Sequence, residues 1–169
     1  MQPGALLAVT TSGKGDREKV GLDPKMTANF KHILIAVDGE PVSAHAAEIG
    51  LGLARSLGAE VAFLHAIEPG LTYSPGVAPK DLVGEAEQDA RKVLAGFRSL
   101  SPDLSILEFV QVGKPPHEIV NAAKTWPADL IVMGSHGRHG ISRALLGSVA
   151  EAVMRYAPCP VLVIPAKRE

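Results

Sequence analysis

Five short apolar runs, separated by segments of helical periodicity, constrain the fold more than any other feature of this chain. They are HILIAV (32–37), EVAFLHAI (60–67), LSILEFVQV (104–112), DLIVM (129–133) and PVLVI (160–164). The first is apolar and β-branched without alternation, the pattern of a strand buried on both faces. The third is less purely apolar, which predicts a place nearer a sheet edge. Strands that alternate with helices predict an α/β fold, an open five-stranded parallel sheet with helices on both faces, Rossmann-like, joined by right-handed crossovers. In such sheets ligands sit beyond the carboxyl ends of the strands, where the strand order reverses.

The segments between the runs carry the helical signals. Pro41 suits a first helical turn, and Val42, Ala46, Ile49, Leu53 and Leu57 recur at three and four residues as one apolar face. Gly58 is placed to end that helix. Leu82, Ala86, Ala90, Val93 and Phe97 mark a second helix, Pro115 and Pro116 open a third, and residues 149–156 form a fourth. EPGLTYSPGVAPK (68–80) holds three Pro and two Gly and reads as a loop, a candidate lid. Residues 1–29 have no sustained period and read as a flexible N-terminal extension, with Met26 as a second candidate start. Residues 30–169 then form a single domain.

Composition narrows the function classes. Lys plus Arg number 17 against 18 Asp plus Glu, and aromatics are 4% of the chain. Neither a basic surface nor a set of stacking platforms for nucleic acid is present. No apolar run reaches the ~20 residues of a membrane span, and no basic region precedes the short apolar patch at the N-terminus. The expectation is a cytoplasmic protein with neither nucleic acid nor a membrane as partner. A single cysteine, Cys159, excludes a disulfide framework within the chain.

The fourth apolar run leads straight into GSHGRHGISRALLGS (134–148). Gly134 and Gly137 stand three apart, nine residues follow, and then come Gly147 and Ser148 at the start of the last helix. Glycines let a backbone approach a sugar or phosphate without Cβ obstruction. Gly147 and Ser148 place N–H groups and a hydroxyl at a helix N-terminus, a natural anion site. Arg138 and Arg143 add positive charge. The plainer alternative is a tight turn with an N-cap. Asp38, at the end of the first strand, either caps the first helix or meets a ligand.

The pattern G-x-x-G, nine residues, G-[ST] after an apolar strand resembles the ATP-binding motif of the universal stress protein family. HILIAVDG, FLHAI, GKPPHEIV and GSVAEAVMRYAPCPVLVIP fit the same family, so the resemblance covers about residues 30–165. It implies sheet order 3-2-1-4-5, as in the adenine nucleotide alpha hydrolase-like folds. It also implies a homodimer paired through the last strand, Val161–Ile164, and ATP, with Mg2+ on its phosphates, in a crevice between the first and fourth strands. Asp38 would lie at the adenosine end and Ala66 would meet adenine through its backbone. Gly134 and Gly137 would face ribose and phosphate, and Gly147, Ser148 and Val149 would hold the phosphates. Ala36, Met133 and Arg138 complete the nucleotide-contact set. The departures are the long N-terminal extension and Glu40, where the family commonly has Ser.

Other chemistries find little support. No G-x-x-x-x-G-K-[ST] occurs, GLGLAR (50–55) has Arg55 where a dinucleotide fingerprint needs its third Gly, and DGEPVS is not the loop of the ATP pyrophosphatases. His136 and His139 lack a Cys or carboxylate partner at metal-ligand spacing. His65 and Trp126 read as structural, as does Cys159. The function expected is a dimeric, nucleotide-sensing stress or regulatory protein acting on an unidentified protein partner. Slow ATP hydrolysis or autophosphorylation is a second reading, with Asp38 the one carboxylate placed for it. A nucleotide-independent dimeric scaffold is the third. AMP or a cyclic nucleotide in place of ATP stays open.

Overall fold

The computed structural model describes residues 30–68, 79–136 and 146–167, with 79–82 described by backbone course alone. The proposed N-terminal extension, most of the proposed lid, and residues 137–145 lie outside the described residues. The elements are β1 (His32–Ala36), α1 (Pro41–Leu57), β2 (Glu60–Ile67), α2 (Pro79–Ser99), β3 (Ile106–Val112), α3 (Pro115–Thr125), β4 (Leu130–Gly134), α4 (Ser148–Tyr156) and β5 (Val161–Ile164). The five strands form one parallel sheet in the order β3-β2-β1-β4-β5. The chain therefore winds outward from β1 to β3, then crosses back to β4 on the other side of β1. Strand order reverses between β1 and β4, which opens a crevice above them.

Alternation along each strand divides the core in two. Ile33, Ile35, Phe63 and Val132 face α1 and α2, meeting Ala46, Ala47 and Leu51 of the first helix and Leu94 and Phe97 of the second. Leu34, Leu64, Ile131 and Met133 face α3 and α4, meeting Ile119, Ala123, Ala150 and Val153. Both faces of β1 are covered, so every position from Ile33 to Ala36 must be apolar; this is why HILIAV has no polar alternation. Trp126 is a packing residue, edge-on to His32 at 5.3 Å and to Phe109 at 6.4 Å. Both β3 and β5 are edges, as the mixed character of the third run suggests.

The buried face of α1 is not the one that its large apolar residues predict. Ser43, Ala46, Ala47, Gly50, Leu51 and Ala54 are buried, while Ile49 and Leu57 are 38% and 46% exposed. The stripe is turned by one residue, about 100° around the helix. The cause is close approach to the sheet. A Cβ on Gly50 would stand 2.7 Å from Cδ1 of Ile35, so only small residues fit beneath the helix. Gly58 ends α1 in the left-handed region, φ +64, with its N–H turned back to Ala54 and Arg55. Arg55 then reaches Asp103 at 2.8 and 3.0 Å and the Ser101 hydroxyl at 2.7 Å, tying the end of α1 to the turn before β3.

Candidate functional site

At the carboxyl ends of β1, β2 and β4 the strands release the chain into turns. Val37 donates to the Leu64 carbonyl at 2.9 Å, and this is the last rung between β1 and β2. Gly39, at φ +84, then swings the chain into α1. The Asp38 amide donates to the Ser43 hydroxyl at 3.3 Å, that hydroxyl donates to the Glu40 carbonyl at 2.9 Å, and Asp38 Oδ1 accepts the Glu40 amide at 3.0 Å. The Asp38 carboxylate is thus held at the lip of the crevice by the turn it shapes. It is not the N-cap of α1, a position taken by Glu40 without a side-chain cap.

β2 runs three residues further than β1, past the Ala36–Leu64 pair to Ile67. Leu64 directs its carbonyl toward β1, and Ile67 directs its own toward β3, where it accepts from Gly113 at 2.9 Å. Polar groups of residues two apart in a strand point the same way. The N–H and C=O of Ala66 therefore face the space that β1 has left.

β4 ends in Met133 and Gly134, both buried, followed by Ser135 at 8% exposure. The Ser135 amide donates to the Ile164 carbonyl, and the Ser135 carbonyl accepts from the Gly147 amide, each at 2.8 Å. This second bond brings the N-terminus of α4 onto the end of β4. A Cβ on Gly147 would lie 2.9 Å from that carbonyl oxygen, and one on Gly134 would lie 3.0 Å from Val42 Cγ1 and 3.3 Å from the Ser43 nitrogen. Both glycines thus have a packing reason to be glycine as well as a position on the crevice. Gly147, at φ −66, is the N-cap of α4 and has no side chain to cap with, and Ser148 is the first helical residue rather than the cap. The leading N–H groups of α4 lack carbonyl partners within the helix and present the positive end of its dipole to the crevice.

These pieces enclose a cleft of about 350 Å³, within the range of small-molecule sites. Of the residues singled out in the sequence, Ala36, Asp38, Ala66, Met133, Gly134, Gly147, Ser148 and Val149 all line it. Gly137 and Arg138 lie outside the described residues. The sequence reading misses a whole wall, formed by Ala86, Asp89, Ala90 and Val93 of α2 with Glu68 beneath. Ala86, Ala90 and Val93 sit in the apolar stripe of that helix, but nothing local says that part of the stripe faces a cavity instead of core. Asp89 is exposed and engaged by Lys92 at 2.8 Å, a bond that raises the lysine pKa. His136, which the sequence offers only as a metal-ligand candidate, lines the cleft as well. Among the described residues no cluster of His, Cys, Asp and Glu could hold a metal ion. Cys159 lies outside the cleft; burial, with the Asp129 charge second, pushes its thiol pKa up, away from reactivity.

The comparisons with known proteins agree with this architecture. A model of the universal stress protein family matches residues 29–165. The chain is 34% identical over 139 residues to the universal stress protein MJ0531 of Methanocaldococcus jannaschii, covering 80% of this chain and 82% of that one. Among solved structures, the hypothetical protein MJ0577 superposes with a TM-score of 0.76 at 28% identity, over 83% of this chain and 99% of that one. A universal stress protein solved in complex with cAMP has the same fold, with a TM-score of 0.65 at 24% identity over 82% and 99% of the two chains.

Proposed function

The chain belongs to the universal stress protein family, and from that premise we propose that it binds ATP in the cleft above β1 and β4 and acts as a dimeric, nucleotide-sensing regulator. One observation carries the reading: eight residues named from the glycine motif and the family resemblance, scattered from position 36 to 149, line a single cleft at the N-terminus of α4. The cleft has the parts an adenine nucleotide requires. Apolar Ala36 and Met133 and the backbone of Ala66 suit the base, the Asp38 carboxylate suits hydroxyl groups, and the α4 amides suit phosphate. Mg2+ would arrive with the phosphates, neutralising charge that the described walls do not. The complex of a protein of this fold with cAMP supports an adenine nucleotide as the ligand class.

The dimer is proposed through β5. Among the described residues its backbone pairs with β4 on one side only, and all four residues are apolar. The other edge, β3, carries Glu108 and Gln111, the kind of polar residue that discourages edge pairing. Residues 30–169 would act as one domain. Among the described residues no helix is long and apolar enough to cross a membrane; the cytoplasm is the proposed location.

The test is to denature the purified protein and identify the released small molecules by mass spectrometry, with and without prior loading with ATP and Mg2+. Near one adenine nucleotide per chain is the expected result. Recovery of ADP after loading with ATP would favour the slow-hydrolysis reading, and no nucleotide after loading would contradict the proposal.

A further inference from the structure

Helix α2 is anchored to the protein toward its C-terminal end. Among its described residues only Ala90, Leu94 and Phe97 are buried, and from 83 to 89 none is. Phe97 lies against Phe63 of β2, with ring centroids 5.6 Å apart, and Arg98 pairs with Glu108 of β3 at 3.2 Å. The turn after the helix is held in turn by Arg55, through Ser101 and Asp103. Residues 83–93 have no such tie. Their charged pairs, Lys92 with Asp89 at 2.8 Å and Arg91 with Glu87 at 3.8 Å, stay within the helix. Among the described residues no hydrogen bond or ion pair joins this stretch to another element.

The stretch faces the cleft instead. Ala86, Asp89, Ala90 and Val93 line it and stand at i, i+3, i+4 and i+7, so a single stripe of the helix forms the wall. Ala86 and Val93 are only half-buried. Val93 also meets the turn that carries Asp38, since a Cβ on Gly39 would stand 3.5 and 3.7 Å from its two methyls. The stripe, that turn and Val37 at the end of β1 therefore border one space. A stretch of helix with few buried apolar contacts opens at low free-energy cost. Matter that fills the space beside its apolar stripe supplies the missing contacts and raises that cost.

We propose that residues 83–93 of α2 are the element that responds to occupancy of the cleft: they open readily when it is empty and pack down on the ligand when it is full, with Leu94 and Phe97 as the fixed end. The ligand favours the packed state because its contacts with Ala86, Ala90 and Val93 exist only there. The proposal rests on the nucleotide reading and adds to it the part of the chain that registers binding.

The experiment is amide hydrogen exchange of the full chain, read by mass spectrometry with and without ATP and Mg2+, alongside calorimetric titration of the same samples with ATP. Amides of 83–93 bond within the helix, so their exchange reports its opening and not mere shielding by a ligand. Saturating ATP should slow exchange at 83–93 by about tenfold or more, the worth of burying a few methyl groups, and change residues 94–99 by less than about twofold. Ala86→Leu, which puts apolar mass into the same space, should slow exchange at 83–93 in the nucleotide-free protein, although leucine is no better a helix former than alanine, and should weaken ATP by about tenfold. If calorimetry shows ATP bound while exchange at 83–93 stays as it was, or if Ala86→Leu leaves the nucleotide-free exchange unchanged, the role of α2 is overturned and the nucleotide reading stands. If the wild type binds no ATP, the nucleotide reading falls and this proposal falls with it.

Discussion

Replacing Gly147 by Ala separates two reasons for the last motif glycine. Its backbone, φ −66 and ψ 148, is ordinary for alanine, so no conformational strain is involved. The cost comes from one contact. The new methyl would sit 2.9 Å from the Ser135 carbonyl oxygen, 3.4 Å from the His136 Cα and 3.8 Å from the Ser135 carbonyl carbon. All three are backbone atoms, and that carbonyl is already bonded to the Gly147 amide at 2.8 Å. To make room, α4 must move off β4 and stretch or lose that bond. A lost backbone bond costs about 0.5–1.5 kcal/mol and overpacking about 1–3 kcal/mol, so the variant should lose roughly 2–4 kcal/mol. For a chain of this size that is a fall in melting temperature of roughly 5–15 °C. Urea denaturation and calorimetric titration with ATP, performed on the same samples, should both show a loss. If Gly147→Ala keeps full stability and loses only nucleotide binding, the glycine serves ligand approach alone and the packing argument is wrong.

Three further outcomes follow from the same structure. Gly52, in the exposed middle of α1, has no described atom within 4 Å of where an alanine methyl would stand, so Gly52→Ala should stabilise by about 0.5–1 kcal/mol in urea denaturation, the helix-propensity gain. The carbonyls of Pro160, just before β5, and of Ile164 at its end accept from Ile131 of β4 and from Ser135 just after β4, so the N–H of Val163 points away from β4 to the open edge. Val163→Pro should therefore spare the β4 ladder yet abolish the proposed dimer, read as a halved mass in sedimentation; a persisting dimer would move the interface elsewhere. The Asp103 carboxyl pKa is lowered, first by its bond from Arg55, so its contribution is present above the ordinary carboxylate range and is lost as pH falls through the lowered value. The stability difference between wild type and Asp103→Asn should hold from pH 7 to about pH 5 and close below about pH 4.

The sheet is legible in the sequence because a strand covered on both faces admits no polar residue, and Ile33 to Ala36 admit none. Its order requires more than periodicity and comes with the family resemblance. The face of α1 misleads because large apolar residues suggest burial by their size. Gly50, in contact with Ile35, shows that a helix pressed onto a sheet buries its small residues instead. The β1, β4 and α4 parts of the cleft are legible because glycines and a helix start fall beside strand ends. The α2 wall is not, since Ala86 and Ala90 look the same whether they face core or cavity. His136 shows no signal until Ser135 and Gly147 are seen to hold it.

The most direct test of the nucleotide cleft is a nitrogen-15 NMR titration of the full chain with ATP and Mg2+, following backbone amides. The account predicts that Ala66, Gly134, Gly147, Ser148 and Val149 shift together and saturate at one nucleotide per chain, with the β3 edge at Leu107, away from the carboxyl ends of the strands, unmoved. Absence of shifts at saturating ATP, or shifts gathered away from the α4 N-terminus, would contradict it.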